Sequence, residues 1–134
     1  MEIKQQTFDM IKEGQVWSYK NRNFEKGSRL IISKIDAIGK DIIIHIKIDG
    51  LKLRDKRSGE IIGTSIGHLP ISLEMLKNSV CKVESIIVPS LDEGYFHWKE
   101  LFDKGKAGVW LVEVADAIEM TEETYNSRID SPPG

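Results

Sequence analysis

Histidine is the side chain best poised to move a proton near neutrality, and one of the three histidines in this chain, His68, stands in a setting suited to chemistry. It lies in the segment GTSIGHLPIS, Gly63 to Ser72, where two glycines and three hydroxyls precede the start of a helix. Free backbone N–H groups at such a start attract anions, so Thr64, Ser65, Gly67 and His68 are candidate binding residues on what reads as a loop. The glycine spacing and the lack of a following Gly-Lys-Ser/Thr rule out a phosphate loop. A purely structural account also exists: turn glycines, Ser72 capping the helix and His68 bonded locally.

Four other groupings are open to the same double reading. Glu93, His97 and Glu100 fall three or four residues apart on one helix and so share a face, but a solvated surface accounts for them and no metal site is assigned. His45 sits on the polar side of an isoleucine-rich strand, as an exposed or a satisfied interior histidine. Cys81 lacks the base and the electropositive setting a nucleophile needs, and is expected to be a small buried residue. Trp17, Arg22 and Arg29, with Tyr19, would suit an aromatic and basic groove for a peptide or a single nucleic-acid strand, although tryptophans more often anchor cores. No catalytic residue is assigned, and no motif calls for a cofactor.

The elements that must position these residues are legible in part. From Ile42 to Ile48 isoleucines recur at even positions while His45, Lys47 and Asp49 alternate with them, which is the period of a half-buried antiparallel strand; Ile43 alone breaks it. Leu30 to Ile35 is a strand joined to it through a loop from Asp36 to Asp41 that contains Gly39. After Gly50 the apolar residues move to odd positions, Leu51 and Leu53, so a bulge or bend is expected at that glycine. Gln15 to Lys20, Val80 to Val88 and Val109 to Val112 are further strands. Helices are expected from Ser72 to about Asn78, from a Ser90 cap to about Asp103 with Tyr95, Trp98 and Phe102 buried, and over Val114 to Tyr125. A weaker helical signal covers Met1 to Lys12. The fold class is therefore α+β, a curled antiparallel sheet or a small partly open β-barrel with two or three helices, forming one domain over residues 1 to 130 with a disordered tail at 131 to 134.

Composition narrows the functions. The chain has 134 residues, 40% hydrophobic and 30% charged, and its 19 basic and 21 acidic side chains leave a net charge of −2, which argues against a dedicated nucleic-acid binder. A lone cysteine, no secretory leader and no apolar run of roughly 18 residues point to the cytoplasm and away from a membrane partner.

The words GQVWSYKNR, SRLIISKI, IIIHIKIDGLKL and IGHLPIS, in this order and spacing, resemble a group of small uncharacterised bacterial proteins. The resemblance runs from about Gly14 to Val80, with a looser echo in EGYFHWKELFDKGKAGV, and implies a stand-alone bacterial domain without carrying over any activity or catalytic residue. The leading expectation is a non-enzymatic protein-binding domain of the immunity or accessory type. A small enzyme using His68 with a carboxylate as acid and base is the alternative. Least favoured is a nucleic-acid-binding barrel presenting Arg22, Arg29, Arg54 and Arg57.

Overall fold

A computed structural model describes residues 11–130, so most of the Met1 to Lys12 segment and the whole of the tail lie outside it. Five strands, β1 (Gln15–Tyr19), β2 (Arg29–Ile38), β3 (Asp41–Arg54), β4 (Ile61–Ser72) and β5 (Val80–Ile86), form one sheet in the order β4-β3-β2-β1-β5. Every neighbouring pair is antiparallel. The helices are α1 (Leu73–Ser79), α2 (Glu93–Asp103) and α3 (Val114–Asp130). This is the expected α+β fold with a curled sheet. Because β4 and β5 do not meet, the sheet is open and no barrel closes among the described residues.

Slips in apolar phase give the sheet its shape. At Gly50 the backbone takes φ 77°, and a Cβ there would sit 3.0 Å from Ser28 Cα, so a side chain is strained on both counts. The β3 to β4 register jumps between Asp49 and Leu53 across that glycine, as the change of phase predicts. A second slip falls in β2. Ile32 pairs with Ile46, but the next pair along the ladder sets Lys34 opposite His45, which leaves Ser33 as an extra residue. The extra residue turns Ile35 toward the core already holding Leu30 and Ile32, and it sends Lys34 and Asp36 to the other face.

Asp36 accordingly belongs to β2 and not to a loop: the strand continues to Ile38, and only Gly39 and Lys40 turn the chain before Asp41. The segment Gly63 to Ser72 is likewise strand rather than loop. Its glycines and Pro70 interrupt the sequence pattern, yet at a sheet edge a proline removes no ladder bond from an outer neighbour, and the Pro70 carbonyl accepts instead from the Trp110 N–H at 2.9 Å. The strand expected at Val109 to Val112 shrinks to a single bridge, Trp110 to Ile71.

Helix starts follow local chemistry. Ser72 caps α1 by accepting from the Met75 N–H at 3.3 Å, as its spacing suggests. The cap of α2 is Asp92 and not Ser90, since the Asp92 carboxylate accepts from the Tyr95 N–H at 3.2 Å and the helix begins one residue later. Helix α3 runs five residues past Tyr125. On one face of the sheet Ile44, Ile46, Ile48, Leu69 and Ile71 bury against Leu76 of α1 and Val114, Ala117 and Ile118 of α3. The remaining helix, α2, packs on the opposite face, where Ile43 is also buried.

Candidate functional site

Beneath α2 the sheet carries a chain of bonded titratable groups. His45 is 0% exposed, with Nε2 at 3.0 Å from Asp36 Oδ2 and Nδ1 at 2.9 Å from His68 Nε2. The Tyr95 hydroxyl donates to the same Asp36 oxygen at 2.9 Å. Two aromatic rings enclose His45, Tyr95 edge-on at 4.8 Å and Trp98 at 4.7 Å. Since a carboxylate only accepts, His45 carries its proton on Nε2 toward Asp36, and its bare Nδ1 accepts from the Nε2–H of His68. His68 Nδ1 is then the end of the chain where a further proton can arrive.

Glycines let α2 approach this chain. A Cβ on Gly67 would meet Asp92 Oδ2 at 2.5 Å, and one on Gly94 would lie 3.0 Å from both Asp92 Oδ1 and the His68 Cβ. The glycines in GTSIGHLPIS and at the start of α2 thus serve close packing of helix on strand.

Burial sets the proton affinities. Loss of hydration, assisted by the neighbouring His68, holds His45 down at about 4 although Asp36 pulls the other way. Burial also lowers His68 from 6.5, against the attraction of the Asp92 carboxylate. Burial and then the bond to Asp36 push Tyr95 up to about 12, so it remains a donor. The linkage follows from these directions. An unfolded His45 takes up its proton near 6.5 and the native one near 4, so its contribution is complete above 6.5 and drains as pH falls through 4. Urea unfolding at about pH 4 should show a loss approaching about 3 kcal/mol relative to neutral pH, and a flat profile would contradict the buried neutral His45.

Next to this chain lies a groove of about 680 Å³ between the β2 to β3 turn, the start of α1, the end of α2 and the Val109 to Leu111 segment. Ile42, Leu73, Phe102, Val109 and Leu111 make its apolar wall, and Lys40, Asp41, Glu74 and Lys77 stand at its rim. The two features share a wall, because Phe102 stacks on Trp98 at 4.6 Å and Trp98 rests on His45.

The structure distributes the candidates read from the sequence. Thr64, Ser65 and Gly67 are exposed on edge strand β4, whereas His68 is half-buried in the chain just described. Trp17 lines no groove: it is 3% exposed in the core, and its indole N–H donates to Gln15 Oε1 at 3.0 Å. Arg22 is buried in a fork with Glu25 at 2.7 and 2.8 Å and also bonds Glu122 at 3.1 Å, which holds its guanidinium firmly charged. Arg29 pairs with Glu84 at 2.6 Å. These engagements replace the proposed aromatic and basic groove with core packing and ion pairs. Glu93, His97 and Glu100 are exposed on α2, Glu100 facing Lys104 at 3.4 Å, and no cluster of three metal-ligating side chains occurs among the described residues. Cys81 is exposed and not buried, because it falls at a register shift in edge strand β5 between the pairs Ser18 to Lys82 and Tyr19 to Val80. No helix among the described residues is long and apolar enough to cross a membrane.

Asp36, Tyr95 and the groove residues Phe102 and Leu111 were not among the sequence candidates. A signal for the first pair does exist. Ile43 and His45 share the face opposite the core isoleucines, and a buried Ile43 there requires a cover that the Tyr95 and Trp98 stripe provides.

Comparison with protein-family models, curated proteins and solved structures found no match. What fold and site define is a class: an open five-stranded antiparallel α+β domain with a buried Asp-His-His chain under one helix and an apolar groove at that helix's end.

Proposed function

We propose that the protein is a non-catalytic protein-binding domain of the accessory type, acting in the bacterial cytoplasm, whose contact surface is the groove between α1 and α2. The observation that carries this reading is the apolar wall left open to water: Leu111 is 73% exposed at the mouth of a hollow of about 680 Å³, beside Leu73 and Phe102. Apolar surface of this kind, rimmed by charges of both signs, suits the leucine-like anchors of a partner segment. A fluorescein-labelled peptide with a leucine stripe should bind the wild type, and Leu111→Glu should weaken it by about tenfold or more by placing a charge in the groove. The exposed position leaves the fold intact, so equal binding by the variant would overturn the reading.

One observation favours a second reading. The Asp36, His45 and His68 chain has the order of an orienting acid, a relay and a terminal base, an arrangement that supports acid-base chemistry. That reading expects the protein to hydrolyse an activated acetate ester faster than free histidine does, with the excess lost in His68→Gln. Hydrolysis at the rate of free histidine would leave the binding reading alone.

A further inference from the structure

The bonded chain has a fixed proton capacity. In its neutral form Asp36 accepts from His45 and Tyr95, and His45 Nδ1 accepts from His68. One added proton fits without breaking any of these bonds: it goes to His68 Nδ1, facing the field of Asp92, and His68 Nε2–H still donates to His45. A second proton does not fit. Placed on His45 Nδ1 it would confront the His68 Nε2–H at 2.9 Å, donor against donor, with His45 fully enclosed and shut off from solvent.

We propose that the Asp36, His45 and His68 chain is a proton-operated latch, which keeps α2 seated on the sheet while the two imidazoles hold at most one added proton and releases it when a second enters. The groups facing the pair come from every element packed against it: Lys34 and Asp36 from β2, Asp92 at the cap of α2, and Tyr95 from α2 itself, with Asp103 and Glu13 bearing on Tyr95. Asp92 favours the first proton, on His68, whereas burial, the first imidazolium and Lys34 oppose the second, on His45, against the pull of Asp36. Release is transmitted because Tyr95 loses its acceptor geometry at Asp36 and Trp98 loses the ring it rests on, and Trp98 carries Phe102. The latch stands on this bond accounting. Its consequence, acid-dependent opening of the groove wall, rests on the binding reading above.

The experiment needs no ligand, so its failure is separate from failure of that reading. Trp98 donates its indole N–H to the Gly108 carbonyl at 2.8 Å, and this proton is an NMR reporter of the seating of α2. In an acid titration toward about pH 4, with imidazole nitrogens followed in parallel, His68 should titrate first without moving the Trp98 signal, and the signal should leave its native position as His45 titrates. In His68→Gln the amide can turn its oxygen toward a protonated His45, so the conflict disappears and the Trp98 signal should hold through the same range. His45→Gln, which keeps a donor toward Asp36 but cannot titrate, should also hold. A Trp98 signal constant to pH 4 in the wild type, or one that moves identically in His68→Gln, would overturn the latch.

Discussion

Trp98→Ala is expected to cost about 3–5 kcal/mol of stability, the range for removing a large aromatic from a packed position. Trp98 is only 7% exposed, and its ring contributes on three sides: over Phe102, against the imidazole of His45 and through the indole bond to the Gly108 carbonyl. Truncation removes the indole bond and uncovers the enclosed His45, and both losses add to the cost of the cavity. Phe96 on the same helix is 59% exposed, and Phe96→Ala should change stability by no more than about 0.5 kcal/mol. Urea unfolding of the two variants tests the pair. An unchanged midpoint for Trp98→Ala would show that α2 is not seated on the sheet.

Arg22→Met should have an effect of similar size, about 3–5 kcal/mol, because it removes the cation bonded to two buried carboxylates. Glu25 is 1% exposed, and burial by itself would raise its pKa; the Arg22 fork and the Lys52 N–H at 2.7 Å together reverse that and hold it below the usual range. Glu122 of α3 reaches from Arg22 to the Arg54 N–H at 2.8 Å, and Asn126 continues the series by accepting from the Lys56 N–H at 2.8 Å. Carboxylates and an amide thereby take the place of a neighbouring strand for the far end of β3, so losing Arg22 loosens α3 as well. Glu25→Gln in the same chain retains an acceptor for Lys52 while removing one unpaired charge, and the double variant should recover part of the loss, a coupling of about 0.5–3 kcal/mol. Additive losses would contradict the charge account.

The long hairpin, the bulge at Gly50 and the Ser72 cap were legible because each depends on neighbours in sequence. An alternating isoleucine period, a phase change at a glycine and a hydroxyl before a helix are local facts. The bonded chain was not legible as a whole, since Asp36, His45, His68 and Tyr95 come from four elements, and only the extra residue at Ser33 brings Asp36 to the right face. That slip has a trace in the sequence, as Leu30 and Ile32 fall on even positions and Ile35 on an odd one. Glycine misled at Gly67, where it makes room for Asp92 rather than a turn. Trp17, Arg22 and Arg29 looked like a surface because sequence proximity hides the partners Glu122 and Glu84, which come from distant parts of the chain.

Whether the groove is the binding surface can be read residue by residue. When the leucine-stripe peptide is titrated into the nitrogen-labelled protein, amide shifts should concentrate at Leu73, Phe102, Val109 and Leu111, with those of the Ile86 to Val88 segment unchanged although it too exposes apolar side chains. Shifts confined to Ile86 to Val88, or spread evenly over the molecule, would contradict the groove as the contact surface.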